Sequence, residues 1–314
     1  MAAPIHKKAL NFISQETSPL IGQCEAIAVV EHYIQRIAAG YFDRDQAPGI
    51  FLFSGSPGVG KVSMTKIIAR VFDCPLYRFA MSSQLNSPKL IPFGDSQKQL
   101  SLEKNPYSVI LLPEIEKAQK NANELFSELF EQGPLIDTWG NEIFAKRSIV
   151  IMTTNLCARI IQQQQRGSIN DKVRAFSILY FSQGFVDRLH AIVVFYPLDS
   201  TSILEIAEKY LEKMAMDIEK SKQIKITWDD RVIPLLVNQH IGKTMSARVV
   251  QKNVREGFYK ALVTRFPDGE LEKGSCIQLY EEREGVIGIT KPLQALKDAL
   301  ETENYSSCFP TAKL

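Results

Sequence analysis

Residues Gly49 to Ile68, GIFLFSGSPGVGKVSMTKII, constrain the fold of this chain more than any other stretch. Ile50, Phe51, Leu52 and Phe53 form an unbroken apolar run, the pattern of a strand buried on both faces. Gly55-Ser56-Pro57-Gly58-Val59-Gly60-Lys61 follows with the spacing of a phosphate-binding loop, and Val62 to Val71 has helical periodicity. Glycines let successive backbone N–H groups curl around phosphate oxygens, Lys61 adds a cation, and the following helix adds its dipole. One letter departs from the motif. The residue after the lysine is normally Ser or Thr, whose hydroxyl binds Mg²⁺, and here it is Val62. Ser63 comes one residue late, a rotation of roughly 100° around the helix.

The chain in order reads as alternating buried strands and helices. A helix with apolar positions Ile27, Val30, Ile34 and Ile37 follows Leu20-Ile21-Gly22-Gln23 and stops at Gly40. Strands are expected at 76–81, 108–114, 148–155 and 185–195, with 82–106 read as a loop carrying at most one helix. Residues 115–132 read as a helix and 135–144 as a hairpin. This alternation predicts a doubly wound parallel α/β sheet of five strands, with its site at the C-terminal strand ends. Pro197-Leu198-Asp199 marks a boundary, after which a helix over 200–220, helices near 229–240 and 246–264, and a strand at 275–280 suggest a smaller α+β lid. The expected layout is an N-terminal extension at 1–17, a nucleotide-binding domain at 18–198, a lid at 199–291, and a helix with a tail at 292–314.

Composition adds bounds. The chain is 45% hydrophobic and 23% charged with a net charge of +2, ordinary for a soluble globular protein and neutral as to acidic partners. Cys24, Cys74, Cys157, Cys276 and Cys308 are scattered, with no Cys-x-x-Cys pair, and read as reduced, buried thiols. His6, His32, His190 and His240 lack metal-ligand spacing, so no metal site of the chain's own is expected. No run of 18 apolar residues and no signal peptide is present, so no membrane span and a cytoplasmic location are expected. The basic residues form no stripe interleaved with aromatics, and no nucleic-acid partner is expected.

The ordered motifs LIGQCEAIAVV, FLFSGSPGVGK, NPYSVILLPEIEKA, IVIMTTNL, GFVDRLHAIVVFYPL, SAR and FPDGELEKG are more specific together than the loop alone. Over residues 18–290 the chain resembles the AAA+ superfamily, and within it the second ATPase module of Clp-type unfoldases and disaggregases. The resemblance implies ATP or ADP as ligand, with Leu20 and Ile21 against the adenine. It places Gly55, Pro57, Gly58, Val59, Gly60, Lys61 and Val62 around the phosphates. It makes Glu114 the carboxylate that orients attacking water and Asn155 an amide that senses the γ-phosphate. Arg188 corresponds to the arginine finger that reaches a neighbouring subunit's site, and Arg248 to the lid arginine that touches the γ-phosphate. Such groups converge on one phosphoryl group because its transfer needs positioning and charge stabilisation.

Three departures from the family pattern point one way. Val62 removes the hydroxyl ligand of Mg²⁺, and Pro113 stands where the family has an aspartate, so Mg²⁺ is expected to be weakly held if held at all. The segment PFGDSQKQLSLEKN is shorter than the family's pore-loop region, with Phe93-Gly94 as the nearest relic of its aromatic grip. Two functions remain open. One is a non-hydrolysing or very slow nucleotide-binding scaffold, adaptor or assembly factor. The other is a working ATP-dependent remodelling ATPase with an unusual metal arrangement. Both imply a protein partner and a homo- or hetero-oligomer.

Overall fold

In the computed structural model the described residues are 20–43, 46–80, 89–92, 108–117, 135–136, 142–143, 145–163, 169–238, 246–266, 273–283 and 286–290. The chain divides into two compact units, Met1–Leu198 and Asp199–Leu314.

The first unit is built on strands β1 (Gly49–Gly55), β2 (Leu76–Ala80), β3 (Lys89–Pro92) and β4 (Ser108–Leu112). A small hairpin, β5 (Leu135–Ile136) and β6 (Glu142–Ile143), precedes β7 (Ser148–Thr154) and β8 (Ala191–Phe195). The main sheet has the order β3-β2-β4-β7-β1-β8. Five of its strands are parallel, and β3 joins antiparallel at the edge. The stretch read as a loop from 82 to 106 therefore contains a strand. Pro92 lies at the end of that edge strand, one of the few places where a sheet tolerates a residue without an N–H.

Side chains alternate cleanly between the two faces of the sheet. Phe51, Phe53, Val109, Leu111, Ile149, Ile151, Val193 and Phe195 pack with helices α1 (Cys24–Ala38) and α2 (Lys61–Val71). Ile50, Leu52, Ile110, Leu112, Val150 and Met152 face the other way, toward Phe181, Phe185 and Val186. Those residues belong to α4 (Ile169–Phe181) and α5 (Gln183–Asp187), which follow α3 (Ala158–Gln162). Helices on both faces explain why the strands read as continuous apolar runs. The expectation of a strand from Phe185 is corrected in its first half. Ser182 accepts a hydrogen bond from the Phe185 N–H and caps α5, so Phe185 and Val186 are buried from a helix.

Cys74 and Cys157 are buried, but Cys24 is exposed on α1, against the expectation of buried thiols. The helix expected over 115–132 begins as a single 3₁₀ turn, Ile115–Lys117, and its remainder lies outside the described residues. The N-terminal extension, the Phe93-Gly94 pair, Cys308 and the helix expected after 292 also lie outside them.

The second unit holds α6 (Ser200–Lys222), β9 (Lys225–Trp228), α7 (Val232–Asn238), α8 (Ala247–Arg265), β10 (Cys276–Arg283) and β11 (Val286–Thr290). Asp199 caps α6 by accepting from the Ser202 N–H at 2.8 Å. The strands form a second sheet, β11-β10-β9, in which β9 and β10 run parallel. Val250, Val254 and Phe258 of α8 are fully buried.

One buried side chain closes the end of β8. The Gln23 amide donates to the Tyr196 carbonyl at 2.9 Å and accepts from the Tyr196 N–H at 3.1 Å, with Gln23 only 1% exposed. A side chain thus makes the pair of bonds that another strand would make. Gln23→Leu leaves both backbone groups of Tyr196 without this partner and is expected to cost about 3 kcal/mol in urea unfolding, because buried orphaned groups cost ~1–3 kcal/mol each. A loss below about 0.5 kcal/mol, the scatter of surface substitutions, would show that Tyr196 finds other partners.

Candidate functional site

Sheet order fixes which residues can meet. β4, β7 and β1 are neighbours, and Leu112, Met152 and Leu52 stand level across them. Continuing a few residues past that level brings Gly55, Glu114 and Asn155 to one edge of the sheet. The loop after β1 then turns back through Gly58 at φ 78° and Gly60 at φ 111°, which caps α2. A Cβ on Gly60 would stand 2.6 Å from the Leu20 side chain, so the loop and the Leu20-Ile21 segment are packed to glycine tolerance. Leu20 and Val59 are buried, Ile21, Gly58 and Gly60 half-buried, and Pro57 exposed.

Lys61 is 7% exposed. Its ammonium donates to the carbonyls of Gly55 and Ser56 and to Asn155 Oδ1, the last at 2.9 Å. Asn155 joins two more groups: Nδ2 donates to Glu114 Oε1 at 3.3 Å, and its backbone N–H donates to Glu116 Oε1 at 3.0 Å. Glu114 has φ 51°, a left-handed conformation uncommon outside glycine. Its N–H donates to Thr153 Oγ1 at 3.0 Å, and its other carboxylate oxygen pairs with Lys117 at 2.6 Å. The Lys117 hydrogen bond is the main reason the Glu114 carboxyl sits below its ordinary range; burial opposes it, and Asn155 and Lys61 assist.

Burial pushes Lys61 down from 10.5 to about 8, against the opposing charges of Glu116 and then Glu114. Because the unfolded chain holds this proton more tightly, the buried charge costs roughly 3 kcal/mol of stability below about pH 8, and the cost is relieved as pH rises toward 10.5.

The predicted residues divide into an assembled set and separate ones. Lys61, Asn155 and Glu114 form one hydrogen-bonded network. Arg188 follows α5, exposed, and its guanidinium makes no hydrogen bond or ion pair among the described residues. Arg248 lies in the first turn of α8 in the second unit, exposed. Val62 is 36% exposed at the start of α2 and, like Pro113, offers no side-chain oxygen. Among the described residues no three His, Cys, Asp or Glu side chains are grouped to hold a metal ion. The glycine loop and Lys61 fit phosphates; the residues at 62 and 113 do not fit Mg²⁺.

Three participants escaped the sequence reading. Glu116 and Lys117 read as the polar face of a helix, and the 3₁₀ turn instead brings Glu116 against Asn155. Gln162, in the polar tract, donates to Ser56 Oγ at 3.0 Å and ties α3 to the glycine loop. Only the Glu114-x-Glu116 spacing carried any signal.

Any phosphate ligand that replaces the carbonyls around Lys61 strengthens its hold on the proton. Binding therefore favours the protonated lysine, and affinity is expected to be level up to about pH 7.5 and to weaken toward tenfold per unit above about pH 8. Calorimetric titrations across that range, in buffers of different ionisation heat, should also register proton uptake. A flat profile with no uptake would place Lys61 away from the phosphates.

Comparison with known proteins adds an independent line. Residues 46–192 match the model of the AAA domain (Cdc48 subfamily). Chaperone protein ClpB of Chlamydia muridarum is 28% identical over 294 residues, 87% of this chain and 34% of that protein. ClpB of Rickettsia bellii is 27% identical over 283 residues, with 84% and 33% covered. ClpB of Clostridium perfringens is 27% identical over 304 residues, with 91% and 35% covered. The chain spans about a third of the length of the curated relatives it matches.

Proposed function

Because this chain carries a Clp-type AAA+ module, we propose that it is a nucleotide-binding scaffold, adaptor or assembly factor that hydrolyses ATP very slowly or not at all. One observation carries this reading: the glycine loop with its buried Lys61 stands beside two positions, Val62 and Pro113, whose side chains offer no oxygen to Mg²⁺ or its water shell. ATP or ADP is held by the loop N–H groups and Lys61, with Leu20 and Ile21 on the adenine side. Magnesium then contributes little beyond what the triphosphate itself chelates. Glu114 and Asn155 retain the roles of water-orienting carboxylate and γ-phosphate sensor in outline. Arg248 supplies a lid contact to the nucleotide.

The exposed guanidinium of Arg188 supports assembly. An arginine without a partner among the described residues has work to do when a neighbour's phosphates are near, so nucleotide shapes contacts between copies of this chain or with a related subunit. The partner is a protein, and nucleotide state governs its capture or release.

A second reading is an active protein-remodelling ATPase, favoured by the intact Lys61–Asn155–Glu114 network. Steady-state hydrolysis separates the two. The natural chain is expected to turn ATP over barely above background, and Val62→Thr with Pro113→Asp to raise the rate. With Arg188 placed by assembly, the finger contributes on the order of 10³-fold. Rapid hydrolysis by the natural chain would overturn the scaffold reading. A double variant that folds and binds ATP but hydrolyses no faster would place the defect outside the metal positions.

A further inference from the structure

The two carboxylates at Asn155 are not equivalent. Glu114 has both oxygens engaged, one by Lys117 and one by the Asn155 amide. Glu116 has only one engaged, by the Asn155 N–H, and its Oε2 is buried with no hydrogen-bond partner among the described residues. A buried carboxylate oxygen without a donor is costly and demands an explanation. Both carboxylates are a single residue, Asn155, away from the Lys61 ammonium.

Resting on the nucleotide-binding reading, we propose that Glu116 makes this site selective for the nucleoside diphosphate over the triphosphate. The terminal phosphate of a triphosphate lies beyond Lys61, toward the strand ends that carry Asn155, Glu114 and Glu116. It brings further negative charge toward a carboxylate oxygen that no donor covers. In a site with a held cation that repulsion is cancelled, but Val62 and Pro113 supply no ligand to hold one. The diphosphate stops short of the carboxylates and keeps the loop and Lys61. Lys61 senses the same asymmetry, since the charge of Glu116 acts on it more strongly than that of Glu114.

The test is the ratio of ATP to ADP dissociation constants, measured calorimetrically in EDTA, for the natural chain, Glu116→Gln and Lys117→Met. Glutamine keeps an acceptor for the Asn155 N–H while removing the charge. Methionine at 117, where the lysine side chain is 70% exposed, uncovers the charge of Glu114 without touching the core. The natural chain is expected to bind ADP about tenfold tighter than ATP, the size of one unscreened charge at this range. Glu116→Gln should bring the ratio toward one, and Lys117→Met should widen it. A Glu116→Gln protein that melts like the natural chain yet keeps its ratio would overturn the inference. So would equal or tighter binding of ATP by the natural chain. If Glu116→Gln fails to fold, Glu116→Ala, which also removes the charge, takes its place, and a ratio it leaves unchanged overturns the inference equally. Absence of binding by both nucleotides would overturn the nucleotide-binding reading itself, and this inference with it.

Discussion

A lysine ammonium that is almost wholly buried must be surrounded by oxygen, and this requirement organises the first unit. Lys61 takes two carbonyls from its own loop and one amide oxygen from the end of a different strand. The loop can supply those carbonyls only because glycines at 58 and 60 turn the chain tightly. Asn155 reaches the ammonium only because β7 is the neighbour of β1 and their registers are level. Sheet order, glycine placement and charge burial are thus one constraint seen at three scales. The lowered proton affinity of Lys61 is the cost of meeting it, a common feature of residues kept for binding.

Much of this architecture is legible in the letters. Runs such as Phe51-Leu52-Phe53 and Val109-Ile110-Leu111 are apolar on both sides because helices cover both faces, and that pattern alone implies a parallel sheet. Phosphate loop, strand-end carboxylate and strand-end amide follow from the same reading, since parallel strands deliver their C-terminal ends to one edge. What stayed hidden depends on local geometry. Phe185 and Val186 look like strand residues, and only the Ser182 cap, itself at φ 96°, turns them into a helical step. The edge strand at Lys89–Pro92 lies among prolines that read as loop. Apart from its spacing from Glu114, nothing marks Glu116 as a site residue, because a regular helix at 115 would send it elsewhere than a 3₁₀ turn does.

Polar side chains do much of the joining between distant parts of the first unit. Gln23 substitutes for a strand at Tyr196, Gln162 holds Ser56, and the hydroxyls of Ser108 and Ser148 bond across β4 and β7 at 2.7 Å. Each is a directional contact, and those of Gln23 and of the two serines are buried, so they fix position more sharply than hydrophobic packing does. The Gln162 bond places the helix after Asn155 in direct touch with the phosphate loop. A change in loop shape therefore has a physical route to the helices on the far face of the sheet.

Pro113 has a consequence for the backbone as well as for the chemistry at its position. Its ring restricts its own backbone and that of Leu112, immediately before Glu114 enters the left-handed region. A proline that fits its native conformation removes freedom from the unfolded chain and stabilises by about 0.4–1 kcal/mol. An acid at this position would add charge and also add disorder to the unfolded chain, next to a backbone angle that is already unfavourable. An acid at 113 would therefore draw a small, fixed amount from the stability of the whole fold, whatever it does for the chemistry.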